Sequence, residues 1–417
     1  MKGIFIIIDG VADLPCQTLG QKTPLEVAKT PNLDAIAKKS KIDYCYTVGE
    51  NIAPQSSNAI ISLFGQDPSL ASRGSLEAQG AGIELKNGDL AFRTNFATID
   101  NLKDLNILDR RAGRNLTTKE AKILATAVNE QVKIHYPFEF RATAGHRGVL
   151  VIRGGFSDSI TNFDPAYGKG VIHANAKNKV TLSKPTDDED DSKFAANLIN
   201  KFFEKSFNVL DKHPINIARA KKGLFSANCL LCRDAGNKPV KFRKPKGIWA
   251  AMSYMPLEIG IAKAFKMKVL RFKPVKLKNM DIYANLHTTL KGFAKFSKKM
   301  LKRNYKKYDY FYLHFKKTDT PGHDNLPHEK VKMIESLDQR FFSFLKEFIK
   351  DKDTKLIITA DHTTACKYKA HTSDPVPVLT YPNPTTKTPS SEQRFTEFWG
   401  LKGKKILGRK LLESNFF

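Results

Sequence analysis

Three times in this chain an uninterrupted apolar run leads directly into an acidic turn. Residues 3–8 read Gly-Ile-Phe-Ile-Ile-Ile and stop at Asp9-Gly10. Residues 356–360 read Leu-Ile-Ile-Thr-Ala and stop at Asp361, and 310–315 read Tyr-Phe-Tyr-Leu-His-Phe with an acid at Asp319. A strand with no polar alternation has both faces buried, which is the situation of strands in a parallel sheet covered by helices. Open α/β sheets bind ligands beyond the carboxyl ends of their strands, where these acids fall. The runs therefore predict an α/β fold with a mainly parallel sheet flanked by helices.

With 417 residues the chain exceeds one ordinary core, so a second domain is expected. Thr30-Pro31 precedes Leu33, Ile36 and Ala37 on one face and predicts a helix. The middle of the chain reads differently: a helix over 117–131, short strands at 138–143 and 148–152, then a helix over about 192–210 behind the acidic turn 186–191. A strand followed by a helix returns at 247–264. The reading is a core split in sequence, 1–100 with 240–417, around an inserted α+β domain at 101–239.

No segment approaches the roughly 20 uninterrupted apolar residues of a membrane span, and the opening run is too short for a signal peptide. With 5 scattered cysteines a disulfide framework is not expected; Cys229 and Cys232 form a lone C-x-x-C read as two half-buried thiols. These features predict a cytoplasmic protein. The net charge of +27 is concentrated at 201–310, with 27 bases against 6 acids. No zinc-finger, RNP or basic-zipper pattern accompanies it, so specific nucleic-acid binding is not expected.

Asp9, Asp319 with His323, and Asp361-His362 with His371 supply three aspartates and three histidines at predicted strand ends. That set suits two metal ions and favours Mn, Zn or Co over a pure Mg site, because imidazole is a poor Mg ligand. In Pro54-Gln55-Ser56-Ser57, Ser56 opens an apolar helix, where backbone N–H groups favour a bound phosphate. A serine there is a nucleophile candidate or an ordinary cap; the residues alone leave both open.

In order and spacing these motifs resemble the alkaline-phosphatase superfamily. The chain is most similar to archaeal-type 2,3-bisphosphoglycerate-independent phosphoglycerate mutases, through Thr-Pro-Asn-Leu-Asp (30–34), Phe92-Arg93-Thr94-Asn95, Asp109-Arg110-Arg111-Ala112-Gly113-Arg114 and His371-Thr-Ser-Asp-Pro-Val-Pro. The resemblance implies an alkaline-phosphatase-like core and an isomerase of glycolysis and gluconeogenesis. Two divalent metals are implied, Mn first, with Zn, Co or Mg as alternatives. Asp9, Ser56, Asp361 and His362 would hold one, and Asp319, His323 and His371 the other. Ser56 would carry the phosphate of 3-phosphoglycerate and return it to the 2-hydroxyl. Arg110, Arg111 and Arg114, with Arg233 and Lys316, would clamp the phosphorylated substrate; Ser56, Lys316, Arg110 and Arg114 are the catalytic candidates. The sequence departs from the family at Gln55-Ser56-Ser57, at Arg233-Asp234-Ala235-Gly236 and at the loop Lys273–Lys278. All three touch the substrate side, so a metal-dependent phosphomonoesterase or a homoserine-kinase-like phosphotransferase is the alternative. Metal identity and oligomeric state are open at this point.

Overall fold

The computed structural model describes residues 1–168, 171–172, 178–273, 281–382 and 392–416. All but the first residue of the Lys273–Lys278 loop lie outside that set. The chain divides into two compact units: residues 1–69, 242–254 and 265–417 form the first, and 70–241 with 255–264 the second.

The first unit is built on an eight-stranded sheet. Its order is Lys268–Arg271, Trp249–Ser253, Tyr310–Phe315, Lys2–Ile8, Thr354–Thr359, Val376–Tyr381, Lys41–Tyr46 and Lys405–Leu407. The five strands from Lys268–Arg271 to Thr354–Thr359 are parallel, and only Val376–Tyr381 runs against its neighbours. The opening strand is central and Ile4 to Ile7 have no exposed surface, as its unbroken apolar pattern requires. It pairs in register with both neighbours, Ile8 with Phe315 and Ile7 with Thr359, so the three acid-bearing turns leave the sheet at one edge. Thr30 occupies the N-cap of the helix Pro31–Ala37, but its hydroxyl bonds to Asp34 Oδ1 and leaves the backbone N–H groups alone.

The second unit holds an antiparallel sheet. Leu90–Ile99 pairs on one side with Arg147–Ile152 and on the other with Cys229–Gly236. Phe138–Ala142 extends it, and the helices Thr118–Gln131 and Asp190–Asp211 contribute Leu124, Val128, Phe202 and Phe203 to a core with Phe96 and Leu150. This moves the first boundary: residues 70–100 were expected in the core, yet Leu90–Ile99 is the middle strand of the second sheet. Helix Pro256–Ala264 also joins this unit through helix Arg73–Ala81. There a Cβ on Gly80 would lie 1.7 Å from the Pro256 carbonyl oxygen, so only glycine permits the approach. Cys229 and Cys232, expected half-buried, are fully buried on opposite faces of their strand.

Candidate active site

The carboxyl ends of Lys2–Ile8, Tyr310–Phe315 and Thr354–Thr359 bring Asp9, Asp319 and Asp361 into one cluster with His323, His362 and His371. Gly10 makes this crowding possible. It has φ +55°, and a Cβ there would lie 2.3 Å from Thr364 Oγ1 and 2.9 Å from Asp319 Oδ1. Its N–H donates to Asp361 Oδ1 at 3.0 Å.

Each histidine is oriented from behind. His371 Nδ1 lies 2.8 Å from the Pro54 carbonyl, and His323 Nδ1 lies 2.9 Å from the Lys369 carbonyl. A carbonyl only accepts, so both Nδ1 atoms carry a proton, and in the neutral rings both Nε2 atoms present lone pairs. The Thr364 hydroxyl donates to Asp319 Oδ1 at 2.9 Å and so accepts from His362 Nδ1 at 3.0 Å. His362 Nε2 is thereby also a bare acceptor. Buttressing of the second ring nitrogen in this way is the usual arrangement behind metal-bound histidines.

The lone pairs converge at short range. His323 Nε2 and His371 Nε2 are 3.2 Å apart, and both lie 3.4 Å from Asp319 Oδ1. Beside them, His362 Nε2 is 3.4 Å from Asp9 Oδ1 and 3.4 Å from Asp361 Oδ2. Those two carboxylate oxygens are buried and have no hydrogen-bond partner among the described residues. With neutral rings and ionised carboxylates these facing acceptors repel, and a cation between them would relieve both groups. The donor set therefore fits two divalent metals. Burial, and then the neighbouring Asp9, push the Asp361 carboxyl well above the ordinary carboxylate range. Burial also pushes Asp9 up, but the Lys316 ammonium at 2.6 Å from its Oδ2 outweighs that and holds it low.

Ser56 is the first residue of the helix Ser56–Leu63, and its Oγ lies 3.1 Å from His362 Nε2. The hydroxyl thus sits at the positive end of a helix dipole and beside the Asp9–His362 group at once. Gln55, at the N-cap, makes no side-chain capping bond to the helix.

The second unit contains a different concentration of charge. Arg93 and Arg233 stand directly opposite each other on paired strands, and both are buried. Arg73, Arg111 and Arg147 add to the field around them; Glu77 is the carboxylate beside Arg93, while Asp234 and Asp164 act on Arg233. Glu77 Oε1 takes Arg93 Nε at 3.1 Å and Arg73 Nε at 3.3 Å. Burial, then the Arg233 and Arg73 charges, push the Arg93 guanidinium well below its ordinary pKa. Arg233 lies over the Tyr167 ring, 3.4 Å from its centroid, and its Nε and Nη1 have no hydrogen-bond partner among the described residues. Like charges opposed across a sheet are destabilising. Five guanidiniums outnumber the carboxylates Glu77, Asp164 and Asp234 that act on them, an excess of positive charge that suits an anion.

Comparison with known proteins places the chain in a family. The family model of 2,3-bisphosphoglycerate-independent phosphoglycerate mutase matches residues 37–216, and that of alkaline phosphatase matches 268–406. The chain is 38% identical to the 2,3-bisphosphoglycerate-independent phosphoglycerate mutase of Aeropyrum pernix, over 91% of this chain and 90% of the relative. It belongs to that family. The Thermococcus kodakarensis mutase is 40% identical over 91% of this chain and 87% of its own length. Among solved structures, the cofactor-independent phosphoglycerate mutase from Thermoplasma acidophilum is 25% identical with a TM-score of 0.57, covering 99% of this chain and 98% of that one. The PH0037 protein from Pyrococcus horikoshii is 28% identical with a TM-score of 0.74, covering 99% and 96%.

The mutase-family residues expected from sequence fall into three groups. Asp9, Ser56, Lys316, Asp319, His323, Asp361, His362 and His371 lie together in the first unit. Arg233 and Arg111 lie in the arginine group of the second. Arg110 is engaged elsewhere: its Nε donates to both Asp164 oxygens at 3.0 and 3.1 Å, and its Nη1 bonds to Asn178. Arg114 sits in a turn with φ +56°. Arg73, Arg93, Arg147 and Thr364 were missed. Arg93 carried a signal, because a charged residue inside the apolar stretch Leu90–Ile99 needs a buried purpose. Among the described residues no helix is long and apolar enough to cross a membrane.

Proposed function

We propose that this chain interconverts 3-phosphoglycerate and 2-phosphoglycerate without bisphosphoglycerate, through a phosphoserine at Ser56. The observation that carries the reading is the position of Ser56 Oγ, 3.1 Å from His362 Nε2 and at a helix N-terminus. Asp9, Ser56, Asp361 and His362 would hold one divalent ion, and Asp319, His323 and His371 the other. Bound there, the ions would supply Lewis-acid charge and lower the pKa of the serine hydroxyl. Manganese suits a site with equal numbers of carboxylates and imidazoles.

The chain's own residues supply the rest. Ser56 Oγ forms a bond to phosphorus as the bond from phosphorus to the glycerate 3-oxygen breaks. The 2-hydroxyl of the retained glycerate then attacks the phosphoserine, and the serine oxygen is released. Backbone N–H groups at the start of Ser56–Leu63 offset phosphate charge. The Lys316 ammonium, 2.6 Å from Asp9 Oδ2, adds a fixed positive charge to the cluster. The arginine group of the second unit suits a small substrate with both a phosphate and a carboxylate, for which guanidinium forks are matched. The chemistry belongs to glycolysis and gluconeogenesis, with a cytoplasmic location.

The test is a proton NMR time course of the Mn-loaded protein with 3-phosphoglycerate and no bisphosphoglycerate. Resonances of 2-phosphoglycerate are expected. Free glycerate and phosphate in their place would overturn the mutase reading and leave a phosphomonoesterase built on the same cluster.

A further inference from the structure

All five cysteines are buried free thiols, and two of them meet although about 350 residues separate them in sequence. Cys16 lies in the loop that follows the opening strand. Cys366 begins the turn between the short strands Thr363–Ala365 and Ala370–Thr372. One sulfur from each and an Asp13 oxygen lie within 4.8 Å of one another.

The backbone under both sulfurs is fixed. Ala12 and Thr363 form a parallel bridge, and the Thr364 N–H donates to the Ala12 carbonyl at 3.0 Å. The Cys366 N–H donates to Asp13 Oδ1 at 3.0 Å. Lys330, fully buried, ties the same place together through Asp13 Oδ2 at 2.7 Å and the carbonyls of Ala12 and Thr364 at 3.0 and 2.8 Å. Two thiols and a carboxylate also resemble a soft-metal site. Here, however, the Lys330 ammonium already neutralises Asp13, and a cation would have to be buried beside it. The remaining chemistry is between the two sulfurs.

We propose that Cys16 and Cys366 are a modification site for two-electron oxidants such as hydrogen peroxide, closing reversibly to a disulfide. The sulfurs must approach from within 4.8 Å to about 2.05 Å, with the neighbouring backbone held side by side. Cys16 is the attacking member: 6% of it reaches solvent, against none of Cys366. Hydrogen bonding with Cys366 holds the Cys16 thiol below its ordinary range against the opposing effect of burial, with Lys330 assisting. The Cys16 thiolate attacks one peroxide oxygen, the O–O bond breaks, and a sulfenic acid and hydroxide form. The Cys366 sulfur then attacks the Cys16 sulfur, and the sulfenic oxygen leaves as water with the two available protons. In sum two thiols and one peroxide give one disulfide and two waters. The bond would join the loop after Asp9 to the hairpin that carries His371.

Peptide mapping by mass spectrometry tests this on the intact metal-loaded protein. It is treated with a small excess of hydrogen peroxide, denatured and alkylated without reduction. A cross-linked pair of peptides containing Cys16 and Cys366 is expected, with Cys45, Cys229 and Cys232 alkylated. Dithiothreitol should reverse the link, and the oxidised protein should melt several degrees higher because a very long loop is closed. In Cys366→Ala, Cys16 should pass to sulfinic acid that dithiothreitol does not reverse. The wild-type map is decisive without that variant, should it fail to fold. Recovery of Cys16 and Cys366 both alkylated after oxidation, or a link from either to another cysteine, overturns the proposal.

Discussion

Arg93→Met distinguishes an anion site from an ordinary buried ion-pair network, because the two readings give opposite signs for its stability. Arg93 would lose its contact with Glu77, where Nε is 3.1 Å from Oε1. With charge centres about 4 Å apart and an effective dielectric of about 20, that attraction is about 4 kcal/mol. Against it, Arg93 faces Arg233 directly across the strands and feels Arg73 and Arg147 as well. At roughly 7 Å, each guanidinium repels by about 2.4 kcal/mol on the same scale, so three contribute about 7 kcal/mol. Repulsion exceeds attraction by about 3 kcal/mol, and desolvation of the guanidinium adds to the imbalance. Glu77 keeps Arg73 at 3.3 Å in the variant, and methionine fills most of the aliphatic space.

Allowing for relaxation, the ligand-free variant should be more stable by about 1–2 kcal/mol, a rise of roughly 2–8 °C in the transition of the second unit. The same change removes charge-assisted bonds of about 1.5–3 kcal/mol to a bound anion, so 3-phosphoglycerate should bind roughly 10- to 100-fold more weakly. The assay is scanning calorimetry in low-salt, phosphate-free buffer, with and without 3-phosphoglycerate. A ligand-free variant that melts below wild type would refute the reasoning. It would show that the Glu77 pairing dominates and that the arginines serve structure.

Replacing Ser56 by Ala should reduce turnover to background and remove the phosphopeptide that mass spectrometry is expected to find in the wild type incubated with 3-phosphoglycerate, while manganese content stays near wild type because Asp9, Asp361 and His362 remain. For Asp361→Asn the expected signs differ between states. The metal-free variant should melt higher than metal-free wild type, since a buried carboxylate beside Asp9 is neutralised, yet calorimetric Mn affinity should fall at least about 100-fold. Tyr167 gives a pH prediction. Arg233, with Arg111 and Arg93, pulls its phenol down to about 6, against about 10 in an unfolded chain. Because the folded value is depressed, this stabilisation is complete above about pH 10 and is lost as pH falls through about 6. Native protein should therefore show a step in tyrosinate absorbance near pH 6 that Tyr167→Phe lacks; a first step only near pH 10 would contradict it.

Much of the first unit was legible because buried parallel strands cannot alternate. Ile4 to Ile8 and Leu356 to Ala360 had to be central, and the acids after them had to leave at the carboxyl edge. The histidines were legible as types, since Asp319…His323 and Asp361-His362 occur where strands end. Their tautomers were not. Those depend on Pro54, Thr364 and Lys369, whose carbonyls and hydroxyl reach the rings only after the chain has folded.

The arginine group divides in the same way. The sequence by itself supplied Arg111 and Arg233 as cations near family-like motifs, and supplied Arg110 on equal terms. Only the tertiary structure decided that Asp164 takes Arg110 and that Arg93 meets Arg233 face to face. Strand register fixes which side chains oppose one another, and register follows from the packing of the whole sheet, with no local signal in either strand. The same holds for Cys16 and Cys366. Composition gave five scattered cysteines and no expectation of a pair, while a bridge between Ala12 and Thr363 set two of them side by side. Local pattern determines which residues are buried in which element, because burial has a period that the sequence displays. Which buried groups touch is a property of the assembled layers, and that is where the chemistry of this protein is set.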